Sequence, residues 1–152
     1  MIREELASAI SHSCIISLAS NCCQVENLAE ARRRLSEILF SASYTEAIWT
    51  EPFHSSNTSL LGKILHSPLS SLLSPLSSLH SPLYLNQLVY AQTLLTVDEL
   101  QAQLKLLERE MGRTADDRAK GVVRIDLDLL QYDADRYHLR DWNRPYIQQL
   151  LR

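Results

Sequence analysis

The feature that most constrains the fold is an alternating segment late in the chain, R-I-D-L-D-L-L at residues 124–130. Because side chains alternate between the two faces of a β-strand, the odd- and even-numbered residues of such a segment lie on opposite faces. One face would carry Val123, Ile125, Leu127 and Leu129, and the other Arg124, Asp126, Asp128 and Leu130. We expect the apolar row to face a core and the two aspartates to face a cleft.

The two aspartates point to a metal site. Side chains two strand positions apart project in parallel, with Cβ atoms separated by roughly 7 Å. This spacing suits oxygen ligands to one or two Mg²⁺ ions, which bind few carboxylates and complete their shell with water and substrate phosphates. The alternative is an edge strand whose polar face is simply solvated.

Length and charge bound the class of protein. The chain has 152 residues, 45% of them hydrophobic and 22% charged, which fits a single globular domain over residues 1–152. The net charge of −3 supplies no basic field for nucleic acid or for an anionic membrane. We therefore expect neither nucleic acid nor a membrane as a partner.

Cysteine usage favours a reducing compartment. The count is odd, and Cys22 and Cys23 are adjacent, a poor geometry for an ordinary structural disulfide. A cytoplasmic location fits this pattern best. A secretory leader over residues 6–20 is the alternative, disfavoured by Glu4 and Glu5 before the apolar run.

A low-complexity segment interrupts the middle of the chain. Residues 67–83 repeat S-P-L-S-S-L-L with a period of seven, but each copy contains a proline that would break a helix. We expect a Ser/Leu/Pro loop at about 55–83. It could cover a site as a lid, or be a dispensable insert.

The remaining segments predict secondary structure in a clear order. Apolar residues 14–18 predict a strand, helical spacing from Val25 to Phe40 a helix, and residues 44–50 and 84–93 two further strands. Thr96 begins the most strongly patterned helix, which ends at Gly112. A charged loop over residues 113–121 then leads to the aspartate-bearing strand, and Asn143 would cap a short final helix. This order predicts an α+β, ferredoxin-like antiparallel sheet with helices packed on one face.

Charged residues late in the chain suggest phosphoryl transfer. The constellation comprises Glu108, Gly112, Arg113, Asp126, Asp128, His138 and Arg144. Paired carboxylates can hold metal ions that bridge phosphates, while arginine or histidine stabilises charge on the transferred group. The sequence has no G-x-x-x-x-G-K-[ST] loop, which excludes a P-loop enzyme.

Six pieces of the chain carry a family resemblance by their order and spacing. They are S-L-A-S-N (17–21), W-T-E-P (49–52), Y-L-N (84–86), E-R-E-M-G-R (108–113), R-I-D-L-D-L-L (124–130) and N-R-P-Y-I (143–147). With these pieces the chain resembles the 6-hydroxymethyl-7,8-dihydropterin pyrophosphokinases of the folate pathway. The resemblance implies Mg²⁺-dependent transfer of pyrophosphate from ATP to the pterin hydroxymethyl oxygen, with release of AMP.

The resemblance also implies roles for individual residues. Two Mg²⁺ ions would be held by Asp126 and Asp128, which with Arg113 and Arg124 form the catalytic group. ATP would be bound by Glu108, Arg113, Arg118, His138 and Arg144. The pterin would be bound by Thr50, Phe53, Tyr84, Asn86 and Tyr146. Core packing remains the alternative for Tyr146, and an exposed loop position for His138 and Arg144.

Departures from the family pattern define a second hypothesis. Ala19 stands where the family usually has glycine, Lys120 replaces an aromatic residue, and the arginine expected at 123 is found one step later at Arg124. A non-catalytic relative that keeps the fold and binds a nucleotide or a protein partner is therefore the main alternative. An RNA-binding ferredoxin-like module comes third, disfavoured by the charge and by the lack of an aromatic R-G-F-type strand motif.

Overall fold

Six antiparallel strands form one sheet in this computed structural model, which describes residues 10–52, 82–112 and 114–151. The strands are β1 (His12–Ser20), β2 (Phe40–Tyr44), β3 (Ile48–Thr50), β4 (Tyr84–Thr93), β5 (Asp126–Tyr132) and β6 (Asp135–Arg136). Their order across the sheet is β2-β4-β1-β5-β6, and β3 also pairs with β4. This arrangement confirms the predicted α+β, ferredoxin-like fold. The predicted Ser/Leu/Pro loop lies outside the described residues except for Pro82 and Leu83.

Four α-helices accompany the sheet within the described residues. They are α1 (Gln24–Leu35), α2 (Val97–Glu110), α3 (Ala115–Ala119) and α4 (Pro145–Leu150), with a 3₁₀ turn at Asp141–Asn143. The Thr96 side chain accepts a hydrogen bond from the Glu99 N–H at the start of α2, as its sequence predicts. Gly112 follows the end of that helix with φ of +99°, a left-handed conformation that glycine adopts without a Cβ penalty.

The two long helices pack on one face of the sheet. Leu28 and Leu35 of α1 and Leu104 of α2 are buried in the same cluster as Leu18 of β1 and Leu127 of β5. The apolar row of β5 therefore faces this main core, as the alternation predicts. Burial of these side chains supplies the principal stabilisation of the fold.

The short helix α4 lies on the opposite face. Ile147 and Leu150 pack with Leu88, Leu130 and Trp142 in a second, smaller buried cluster. The prediction that helices cover one face thus holds for α1 and α2, while α4 covers part of the other. Leu130 belongs to this second cluster because it shares the parity of Asp126 and Asp128.

Four local predictions differ from the structure. The helix predicted from Val25 to Phe40 ends at Leu35, and Phe40 begins β2. The strand predicted at 44–50 is split, since Thr45 exchanges hydrogen bonds with Leu88 through its N–H and its Oγ1 and the chain then leaves the ladder until Ile48. The loop predicted at 113–121 contains α3, whose first turn is closed by a Thr114–Asp117 capping box. The N-cap of α4 is Arg144 rather than Asn143, which lies in the 3₁₀ turn.

Candidate active site

A cavity of about 420 Å³ opens on the α4 side of the sheet. This volume is within the usual range for sites that bind small molecules. Seven of the residues singled out from the sequence contribute to its walls: Thr50, Tyr84, Asn86, Asp126, Asp128, Arg144 and Tyr146. The fold thus brings the acidic pair, the pterin candidates and one arginine to a single hollow.

Both aspartates face this cavity because side chains alternate between the two faces along β5, which pairs with β1. Asp126 lies opposite Ala19 and Asp128 opposite Ser17, while Leu127 between them points into the main core and is 1% exposed. The Asp128 side chain is 20% exposed, so it is not part of a freely solvated strand face.

The cavity carries an excess of negative charge. Its described walls include four carboxylates, from Glu51, Asp126, Asp128 and Asp141, and two cations, from Lys120 and Arg144. A concave surface lined mainly by one sign of charge attracts ions of the other sign. The donor set, oxygen atoms from two carboxylates on one strand, fits Mg²⁺.

Glu108 supports β5 from behind the aspartates. Its side chain is 3% exposed, and its Oε1 accepts a hydrogen bond of 2.9 Å from the backbone N–H of Leu127. Lys105 Nζ stands 3.4 Å from both carboxylate oxygens. Glu108 therefore fixes the backbone between Asp126 and Asp128, and its contact with ATP stays a prediction.

A second cavity of about 340 Å³ lies between α2 and β5. Its walls include Gln101 and Lys105 of α2 together with Asp128 and His138. Asp128 belongs to both cavities, so the two hollows meet at one of the proposed metal ligands.

A charged cluster stands beside Asp128. His138 Nε2 is 3.8 Å from Asp128 Oδ1, and His138 Nδ1 is 3.9 Å from Asp141 Oδ2. Asp141 Oδ1 pairs with Arg144 Nη2 at 3.1 Å. His138 and Arg144, two of the side chains predicted to bind ATP, are thus held near the acidic pair, with Asp141 between them.

Arg124 lies just before β5, which begins at Asp126. Its Nε donates a hydrogen bond of 3.0 Å to Asp117 Oδ2, and its side chain packs over Gly112, where a Cβ would stand 3.2 Å from Arg124 Cδ. Hydrogen bonding from Arg124 lowers the pKa of Asp117. Among the described residues, the walls of the larger cavity do not include Arg124.

Asn86 is held rigidly in the cavity wall. Its side chain is buried, and its Nδ2 donates to Thr50 Oγ1 at 2.8 Å and to the Ile48 carbonyl at 3.2 Å. The Tyr146 ring both lines the cavity and packs against the second cluster, so core packing and ring stacking are compatible roles. Burial raises the pKa of Tyr146, and a hydrogen bond with Arg144 acts in the opposite direction.

Three predicted site residues remain to be accounted for. Arg118 is exposed on α3, while Arg113 and Phe53 lie outside the described residues. Their proposed roles remain predictions.

Sequence reasoning missed Asn21 and Asp141. The Asn21 side chain donates to the Gly121 carbonyl and accepts from the Val123 N–H, at 2.8 and 2.6 Å, which ties the segment before β5 to the end of β1. Its signal was the S-L-A-S-N piece itself, which ends on this residue. For Asp141, the only indication in the sequence is its position in a turn-like segment.

Comparison with known proteins identifies the family. Residues 15–152 match the model of the 7,8-dihydro-6-hydroxymethylpterin-pyrophosphokinase family. The chain belongs to this family. Membership in this family supports a pyrophosphokinase role in folate synthesis.

One relative of this chain is the mitochondrial folate synthesis bifunctional protein of Pisum sativum. The two sequences are 40% identical over 76 residues, covering 45% of this chain and 15% of the pea protein. The chain therefore matches only a small part of that relative. In the part of the chain that the structure describes, no helix is long and apolar enough to cross a bilayer.

Proposed function

We propose that the protein transfers the pyrophosphoryl group of ATP to the hydroxymethyl oxygen of 6-hydroxymethyl-7,8-dihydropterin and releases AMP. The observation that carries the proposal is that Asp126 and Asp128 line one cavity together with Asn86 and Tyr146. This hollow combines a cation-binding pair with an amide and an aromatic ring suited to a flat heterocycle. Family membership supports the same reaction.

Asp126 and Asp128 would hold two Mg²⁺ ions. When bound, Mg²⁺ neutralises phosphate charge and orients the transferred group. Glu108 contributes by fixing the backbone N–H between the two aspartates, so that both carboxylates keep their direction. Rigid support of this kind matters because small displacements of ligating groups weaken metal sites.

Asn86 and Tyr146 would orient the pterin. The Asn86 amide cannot rotate freely, since its Nδ2 is bonded to Thr50 and Ile48. With Nδ2 donating to these two partners, the amide oxygen Oδ1 is the atom that can accept a hydrogen bond from an N–H group on the edge of a pterin. The Tyr146 ring supplies a flat apolar face, while Thr50, Tyr84 and Phe53 would complete the pocket.

The second cavity would receive part of the nucleotide. It adjoins the pterin cavity at Asp128, so a triphosphate that extends from one to the other passes the acidic pair. His138 and Arg144, beside this junction, would stabilise negative charge on the phosphates. Arg113 and Arg118 would add cations, and Glu108 would act near the nucleotide. Arg113 and Arg124 would also serve as catalytic cations.

A non-catalytic relative is the second candidate. The Arg124 side chain is engaged by Asp117 at 3.0 Å, away from the two aspartates. A protein of this kind would bind the substrates without turnover. We further propose a cytoplasmic location, with neither nucleic acid nor a membrane as a partner.

The decisive experiment is a product assay. The purified full chain is incubated with ATP, Mg²⁺ and 6-hydroxymethyl-7,8-dihydropterin, and AMP and pterin diphosphate are quantified by chromatography. We expect equal amounts of both products, formed only when all three components are present. The Asp126→Asn variant serves as the inactive control.

Two results would contradict the proposal. Pterin binding by the wild type without AMP formation would favour the non-catalytic relative. AMP formation that does not require the pterin would indicate a different acceptor.

A further inference from the structure

We propose that Asp128, His138 and Asp141 form a binding site for a first-row transition-metal ion such as Zn²⁺. One ligand atom from each residue can be chosen so that all three lie within 4.8 Å of one another. The set combines one imidazole with two carboxylates. It differs from the Asp126–Asp128 pair by including His138 and Asp141, and its ion binds without either substrate.

The spacing of the ligand atoms is close to that around a bound ion. Ligands about 2.1 Å from a tetrahedral Zn²⁺ ion stand about 3.4 Å apart. His138 Nε2 and Asp128 Oδ1 are already 3.8 Å apart, so an ion fits between them without movement of the backbone. Asp141 Oδ2 is 3.9 Å from the other ring nitrogen, Nδ1, so Asp141 joins the set after a side-chain movement that brings its carboxylate closer to Nε2.

Two of the ligands sit on a turn that is tied down at several points. The Asp141 N–H donates to the His138 carbonyl at 2.8 Å, which places the two side chains together. Trp142 is buried, and its indole N–H donates to the Tyr137 carbonyl at 3.0 Å. The guanidinium of Arg136 lies 4.2 Å from the centre of the Trp142 ring. His138 itself has φ of +52°, a left-handed conformation that costs energy for a non-glycine residue and is maintained by these contacts.

Arg144 orients Asp141 for ligation. It pairs with Oδ1 at 3.1 Å, whereas Oδ2 is the oxygen on the His138 side. A metal-ligating carboxylate is commonly held by a hydrogen bond to its other oxygen in this way. The two carboxylates also balance the charge of a divalent ion.

The imidazole selects the class of ion. Mg²⁺ prefers oxygen ligands in regular octahedral geometry, whereas imidazole favours Zn²⁺ and its transition-metal neighbours. Because Asp128 would also hold Mg²⁺ in the proposed reaction, the two kinds of ion compete for one carboxylate. The binding itself requires no turnover, so it stands or falls separately from the proposed function.

Calorimetric titration with Zn²⁺ tests the site. The full chain, freed of metal with a chelator, is titrated without ATP or pterin. We expect one stoichiometric site in the wild type and an affinity at least about tenfold weaker in both Asp141→Asn and His138→Gln. Thermal melting of each variant verifies that it is folded.

His12→Gln is the matched control. His12 Nδ1 lies 2.7 Å from Asp133 Oδ2, a histidine–aspartate pair with a single carboxylate, and we expect the Zn²⁺ affinity to be unchanged by its loss. As a second readout, Zn²⁺ should shift the ¹⁵N resonances of the His138 ring in the wild type, which requires no variant to fold. Absence of Zn²⁺ binding, unchanged affinity in the two site variants, or an unshifted His138 ring would each overturn the proposal.

Discussion

The two faces of the sheet divide stability and chemistry between them. One face is sealed by α1 and α2, and its inward residues such as Leu18 and Leu127 are at most 1% exposed. The other carries a small cluster under α4 and then opens into the cavity. Within β5, Leu127 serves the first face and Asp126 and Asp128 the second. Substitutions at neighbouring residues of one strand should therefore have opposite consequences, one for stability and the other for activity.

The largest effect should come from Asp128→Asn on the open face. We expect AMP formation to fall about 1,000-fold, equivalent to about 4 kcal/mol, because a group that organises transition-state charge is lost. The melting temperature should change little, since Asp128 lies in a cavity wall. The rate is measured by chromatography of AMP.

Asp135→Asn is the control for this change, because Asp135 is an exposed aspartate on the neighbouring strand β6. Its activity should equal that of the wild type. If both variants lost activity to a similar extent, the assignment of chemistry to the open face and stability to the sealed face would be wrong.

Leu127→Ala should have the next largest effect, now on the sealed face. Removal of a fully buried leucine leaves a cavity and should lower the free energy of unfolding by about 3 kcal/mol. Urea denaturation followed by circular dichroism measures this loss. Leu139→Ala, at a position that is 66% exposed, should change stability by less than about 0.5 kcal/mol. Equal losses would show that the sealed face does not carry the stability.

Asn86→Ala should affect both quantities, because Asn86 is buried and also lines the cavity. The substitution removes the hydrogen bonds that Asn86 donates to the Ile48 carbonyl and the Thr50 hydroxyl. The free energy of unfolding should fall by about 2 kcal/mol. The KM for the pterin should rise. Gln92→Ala, an exposed amide on the same strand, should leave denaturation and kinetics unchanged. A variant of Asn86 with normal pterin KM would remove this residue from the site.

The smallest effect concerns Asp117, in the segment that leads to β5. Hydrogen bonding from Arg124 lowers the pKa of Asp117 in the folded protein. A depressed carboxyl pKa stabilises the fold above the unfolded pKa of about 4, and that contribution is lost as pH falls through the folded value. Asp117→Asn should therefore be less stable than the wild type near pH 7 and approach it at acidic pH. Melting curves that stay parallel from about pH 5 to pH 2 would contradict this.

The sequence predicted those elements whose signals are local. The alternation in β5 and the Thr96 and Gly112 signals of α2 depend on nearby residues alone. The break after Tyr44 depends on Thr45 bonding to Leu88, which is distant in the chain. The helix α3 carried a local signal, the T-x-x-D of its capping box, that was overlooked.

The candidate site shows the same contrast between local sequence signals and contacts between distant segments. Asp126 and Asp128 were located by strand parity. The positions of Arg124 and Asp141 depend on partners in other segments, Asp117 for the first and His138 and Arg144 for the second. No periodic pattern encodes such contacts.

Calorimetric binding of a non-hydrolysable ATP analogue, with and without Mg²⁺, tests most directly whether Asp126 and Asp128 join a divalent ion to the nucleotide. We expect Mg²⁺ to strengthen binding to the wild type and to have no such effect on the Asp126→Asn, Asp128→Asn double variant, provided that both proteins are folded. An equal effect of Mg²⁺ on both proteins would contradict the central role of the two aspartates.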